Sequence, residues 1–170
     1  AAFVPTFTYY LKNKGQNEAW NLANKVSNLL FLILLAVTGA GLIFTPSIVQ
    51  VIAPGFTASV DKFALTVSLT RIMFPYIMLI GLAALCMGIL NSMGHFAMPA
   101  LSPTIFNLSI ILSVVFLHSL FHIPVIALAI GVVLGGIGQL LFQLPLILKK
   151  GFRPSLDWHF NHPGLKQVFL

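Results

Sequence analysis

The chain has 170 residues, of which 58% are hydrophobic and only 7% charged, with a mean hydropathy of +0.99. Soluble domains carry roughly 25% charged residues, so this balance excludes an ordinary water-soluble domain. The formal charge of +6 does not imply a nucleic-acid partner, because the basic residues flank apolar runs instead of forming a dense patch with interleaved aromatics.

Charge placement sharpens the class. No Asp, Glu, Lys or Arg lies between Lys25 and Asp61, and none lies between Arg71 and Lys149. The second gap is too long for one crossing and holds three of about 20 residues each. The predicted class is an all-α integral membrane protein.

In chain order, residues 1–25 join an aromatic-rich start, AAFVPTFTYYL, to a polar, basic turn. They are predicted to be the end of a preceding membrane helix followed by a cytoplasmic loop, with Tyr9, Tyr10 and Trp20 suited to a membrane–water interface. Residues 26–148 are predicted to hold four transmembrane helices, at about 26–44, 64–91, 103–120 and 124–148. Pro46 is expected to stop the first of them. Residues 149–170 read as a cytoplasmic interfacial linker and the start of the next helix. With no signal-peptide pattern and no initial Met, the chain is expected to be an internal piece of a longer protein.

Four crossings place both flanks on one side, and those flanks hold Lys12, Lys14, Lys25, Lys149, Lys150, Arg153 and Lys166. Only Lys62 and Arg71 remain elsewhere, so the flanks are predicted to be cytoplasmic and the loop bearing Asp61 external.

Membrane-embedded hydrolysis or proton relay needs titratable groups inside the spans, yet the acids Glu18, Asp61 and Asp157 all fall outside them. His118 and His122 are spaced as a helical pair but lack a third ligand, so no metal site, cofactor or enzyme activity is predicted. Cys86, the single cysteine, reads as a small buried hydrophobe.

The informative residues are polar or helix-breaking groups within apolar runs. Arg71 precedes IMFPYI; it either snorkels to the boundary or lines a polar cavity and holds an anionic head group. Pro75 bends the second helix, as a plain kink or as a hinge. Gly131, Gly135, Gln139 and Gln143 recur every four residues and share one helix face. The two glycines are predicted to pack against another backbone. The two amides are either interhelical hydrogen-bonding groups or, nearer the cytoplasm, cavity-facing ones. Asn107 and the Ser109/Ser113 pair allow the same two readings.

The runs LTRIMFPYI, GILNSMGHFAMPALSPTIFNLS and GGIGQLLFQLP, with AAFVPTF and APGF in matching order, resemble the MurJ/MviN family of lipid II flippases. The family belongs to the multidrug/oligosaccharidyl-lipid/polysaccharide exporter superfamily. The resemblance implies a fourteen-helix transporter, with this chain supplying four transmembrane helices of an incomplete six-helix N-terminal lobe. It implies a bacterial cytoplasmic (inner) membrane location and movement of lipid II, the undecaprenyl-pyrophosphate-linked precursor, to the outer leaflet by alternating access. Partners would be lipid II, membrane lipids and the remaining helices of the full-length protein. The family's charged cavity residues and its sodium site lie outside this stretch, so none carries over. The cavity candidates that remain are Arg71, Asn107, Gln139 and Gln143. Competing readings are another lipid-linked polysaccharide or multidrug exporter, or a noncatalytic scaffold for envelope assembly, which needs tight packing but no hydrophilic cavity.

Overall fold

The computed structural model describes residues 2–155 and 163–169. Asp157 and the middle of the expected interfacial linker lie outside the described residues. In chain order the helices are α1 (Phe3–Asn13), α2 (Gln16–Ile52), α3 (Val60–Met73), α4 (Tyr76–Ser92), α5 (Ala97–Leu117), α6 (Val125–Lys149) and α7 (Pro163–Phe169). Short 3-10 turns cover Pro54–Ala58 and His118–Leu120, and no strand occurs among the described residues. Four stretches are long and apolar enough to cross a bilayer: α2, α3 with α4, α5 with its 3-10 extension, and α6.

α2 departs most from the expected 26–44. It starts at Gln16 and runs straight through Pro46 to Ile52, a total of 37 residues. At 1.5 Å per residue that is about 55 Å, well beyond a hydrocarbon core of about 30 Å, so its polar first turns project from the membrane. Pro46 does not stop the helix, and its neighbour partly makes up for the missing N–H. The Leu42 carbonyl, which a residue at position 46 would normally bond, receives the Thr45 hydroxyl at 3.3 Å. The same hydroxyl donates to the Gly41 carbonyl at 2.5 Å. In lipid this local repair takes the place of water.

The expected helix 64–91 is two helices, α3 and α4, separated at Phe74–Pro75 and beginning already at Val60. α5 begins at Ala97, upstream of the expected Pro103. Pro99 sits in its first turn, where N–H groups have no helical partner, and Pro103 removes a single bond. α6 runs from Val125 with Pro124 at its N-cap and contains Pro145 near its end.

α5 and α6 form the most extensive helix pair; α6 packs next on α4, and α4 on α2. Only 11–33% of the most apolar window of each span is buried, so most of the apolar surface points outward, as lipid-facing or partner-facing helices require. The dense core lies at one end, where α1, the start of α2, and the ends of α4 and α6 converge. Phe7, Trp20, Leu22, Ile89, Ile147 and Phe152 meet there.

Thr45→Val should cost about 1 kcal/mol of stability by leaving the Leu42 and Gly41 carbonyls without their hydroxyl donor, while Thr45→Ser should stay near wild type. Thermal unfolding of the purified full-length protein in detergent checks this; an unchanged midpoint for the valine variant would show that the hydroxyl is dispensable.

Candidate functional site

The break between α3 and α4 follows from the chemistry of Pro75, which has no N–H to give the Arg71 carbonyl. Bonding tightens across it: the Ile77 N–H reaches the Phe74 carbonyl at 3.1 Å and the Met78 N–H reaches the Pro75 carbonyl at 3.2 Å. Phe74 turns its ring onto α2 at Gly41, where any side chain would overlap the ring outright. Arg71 lies in the last turn of α3, exposed, with no ion-pair partner shown among the described residues. A guanidinium at this depth is costly unless water or an anion meets it.

Immediately past the break, α4 is held by a second aromatic contact. The Tyr76 and Phe106 rings stack with centroids 5.0 Å apart and planes at 30°. Both rings sit in a notch made by adjacent glycines of α6. A Cβ at Gly135 would lie 2.6 Å from Phe106, and one at Gly136 would lie 2.8 Å from Tyr76. Gly135 therefore serves α5 and Gly136 serves α4. A turn earlier, a Cβ at Gly131 would approach the Ile110 backbone to 2.9 Å. Beside it the Ser113 hydroxyl donates to the Ala127 carbonyl at 2.6 Å.

The stripe predicted from Gly131 to Gln143 thus faces α5 along its whole length. Gln139 and Gln143 are 6% and 0% exposed, and both amides converge on Ser102. Gln139 Nε2 donates to the Ser102 carbonyl at 3.2 Å, and Gln143 Nε2 donates to the Ser102 hydroxyl at 3.2 Å. Of the two readings open for the amides, this conformation presents the interhelical one, a closed seam, because Ser102 meets α6 at that depth. Both Oε1 atoms are buried without a partner among the described residues.

The remaining candidates are dispersed. Asn107 is exposed on α5, on a different face from the Ser102–Phe106–Ser113 contacts. Ser109 bonds back to the Ile105 carbonyl at 2.9 Å. His118 reaches back toward the Val114 carbonyl at 2.9 Å, a helix-end contact, and His122 is exposed. Among the described residues no group of three or more His, Cys, Asp or Glu side chains could hold a metal ion. Tyr76, Phe106, Gly136, Ser102, Phe74 and Gly41 were not singled out by sequence. The Gly135–Gly136 doublet was the available signal, since adjacent glycines serve two helix faces and hence two neighbours.

Gly135→Leu and Gly136→Leu should each destabilise by about 1–3 kcal/mol or more, the first by driving α5 away and the second α4. Phe106→Ala should partly restore the first and not Gly131→Leu, which meets backbone. The amount of membrane-inserted, monodisperse full-length protein reads this out.

A family model described as lipid II flippase MurJ matches residues 1–170. A probable lipid II flippase MurJ of Buchnera aphidicola subsp. Acyrthosiphon pisum is 40% identical over 98% of this chain and 33% of its own length. The lipid II flippase MurJ of Burkholderia cenocepacia is 34% identical over 98% of this chain and 33% of its own. A probable lipid II flippase MurJ of Treponema pallidum is 37% identical over 92% of this chain and 30% of its own. The chain thus spans about a third of the length of these curated relatives. With its whole length matched by one family model, and with four bilayer-length apolar stretches, the chain belongs to the lipid II flippase MurJ family.

Proposed function

We propose that this chain is part of a transporter that moves lipid II from the inner to the outer leaflet of the bacterial cytoplasmic membrane by alternating access. The observation that carries the reading is the family match along the full chain, which covers the broken helix bearing Arg71. The chain takes the place of four helices of an N-terminal lobe. The remaining helices of the full-length protein complete the cavity, and the work done is transport, not bond-making.

In this reading Arg71 meets the anionic head group. Its exposure at the end of α3, with no ion-pair partner shown among the described residues, supports that role, because a guanidinium beside apolar spans needs water or an anion to meet it. Pro75 acts as the hinge. The 3-10 bonding beside it is the weak point at which α3 can swing while α4 stays locked by Tyr76 on Phe106. Gln139 and Gln143 hold α5 against α6 in the present conformation, and Asn107 offers a further polar contact for the missing helices or the cavity. The flanks carrying Lys12, Lys14, Lys149, Lys150 and Arg153 lie in the cytoplasm, and the loop before Asp61 lies outside.

Two measurements test this. In the full-length protein Arg71→Ala should reduce lipid II flipping at normal abundance, while Arg71→Lys should keep part of it; normal flipping by the alanine variant would leave only a boundary arginine. For the topology, single cysteines at Asn17, Ala58 and Ser155 in a Cys86→Ala background should react with an impermeant thiol reagent on intact cells only at Ala58. Reaction at Asn17 or Ser155 would reverse the orientation.

A further inference from the structure

We propose that residues 150–155, the turn that ends α6 and the irregular segment after it, form a strap clasped along one stripe of α2, and that the strap stays clasped while the transporter changes conformation. It would then be the fixed point from which the chain leads toward α7. The claim about turnover rests on the transport reading; the clasp itself does not.

The clasp is built from side chains four residues apart. Gln16 Nε2 donates to the Lys150 carbonyl at 2.8 Å. Trp20 meets the Phe152 ring at 5.4 Å between centroids. Asn24 Nδ2 donates to the Arg153 carbonyl at 3.0 Å, and its Oδ1 accepts the Ser155 N–H at 3.1 Å. Asn28 Nδ2 donates to the Ser155 carbonyl at 2.9 Å. Four residues of helix rise about 6 Å, so these four stripe positions follow the strap in order from Lys150 to Ser155. Gly151 makes the turn off α6 possible, since its φ of +96° is strained for any other residue.

Except for Phe152, the strap is recognised through its main chain, as an added strand is read by a sheet edge. The side chains of Lys150 and Arg153 remain available to water or lipid head groups. Phe152 is buried in the dense end core, and with Pro154 it lines one side of a partly open apolar cavity of about 210 Å³ shared with Leu82, Cys86, Leu140 and Leu144. Lifting the strap would open that cavity further and expose Trp20 while breaking four hydrogen bonds together, so bending elsewhere is the cheaper motion.

In otherwise cysteine-free full-length protein, the pairs Asn28→Cys/Ser155→Cys and Gln16→Cys/Lys150→Cys are treated with a short bis-methanethiosulfonate. Both pairs should bridge nearly completely, at rest and with lipid II present, and bridged protein should flip lipid II like the unbridged double variant. Transport stopped by bridging and restored by reductant would overturn the proposal, because the strap must then lift. Failure of both pairs to bridge would overturn it too, because the strap is then not clasped. With Cys86 as the sole cysteine, Asn24→Ala/Asn28→Ala should speed its reaction with N-ethylmaleimide by about tenfold or more; an unchanged rate would also overturn the clasp. Absence of flipping in the unmodified protein would instead sink the transport reading, since bridging yield and the Cys86 rate do not depend on it.

Discussion

Lipid offers a peptide group no hydrogen bond, and the rest of this structure depends on that constraint. Two prolines show it by contrast. Pro46 follows Thr45, whose hydroxyl covers the freed Leu42 carbonyl, and α2 continues unbroken. Pro75 follows Phe74, which carries no donor, and the nearby Thr70 hydroxyl is engaged with the Thr66 carbonyl at 2.8 Å. There the helix divides. Pro103 and Pro145 also lie inside continuous helices, so among the described spans the helix divides only at Pro75. Ser92 and Ser109 likewise return their hydroxyls to the carbonyl one turn back, so that neither hydroxyl meets lipid unbonded.

Packing obeys the same solvent. Apolar side chains gain little by leaving lipid for each other, so the spans are joined by close backbone approach and polar contacts. Gly131 and Gly135 bring α6 onto α5, and Gly136 brings it onto α4. Ser113 and the Ser102–Gln139–Gln143 group add hydrogen bonds along the first of these seams. Among the described residues a compact aromatic and aliphatic core forms only at the basic end, around Phe7, Trp20 and Phe152. That end reaches the aqueous boundary, where burial is again driven by water.

These two regimes divide the molecule mechanically. The end with the hydrophobic core and the strap is tied by aromatic contacts and amide side chains on three elements. The opposite end holds α3, which packs on α2, on α6 and on the Pro54–Ala58 turn, with the Phe74 ring just after it seated at Gly41. A lobe tied at one end and divided at Pro75 suits the alternating access proposed above, in which one side opens while the other is held.

The sequence by itself determined the class and the seam. Charge-free gaps require membrane spans because a charge in lipid is expensive, and a four-residue spacing puts Gly131, Gly135, Gln139 and Gln143 on one helix face whatever the neighbour. The break at Pro75 was legible for the same local reason. Tertiary structure decided what proximity alone can decide. Pro46 looked like a stop until Thr45 was seen to repair it, and α5 began upstream of Pro103 because the first turn tolerates Pro99. The amides suited either water or a neighbouring helix, and Ser102, far away in sequence, meets them in this conformation. The strap was invisible in sequence for a related reason. Its partners are carbonyls and one N–H of the main chain, which every residue carries, so only the fold shows that Gln16, Asn24 and Asn28 meet them.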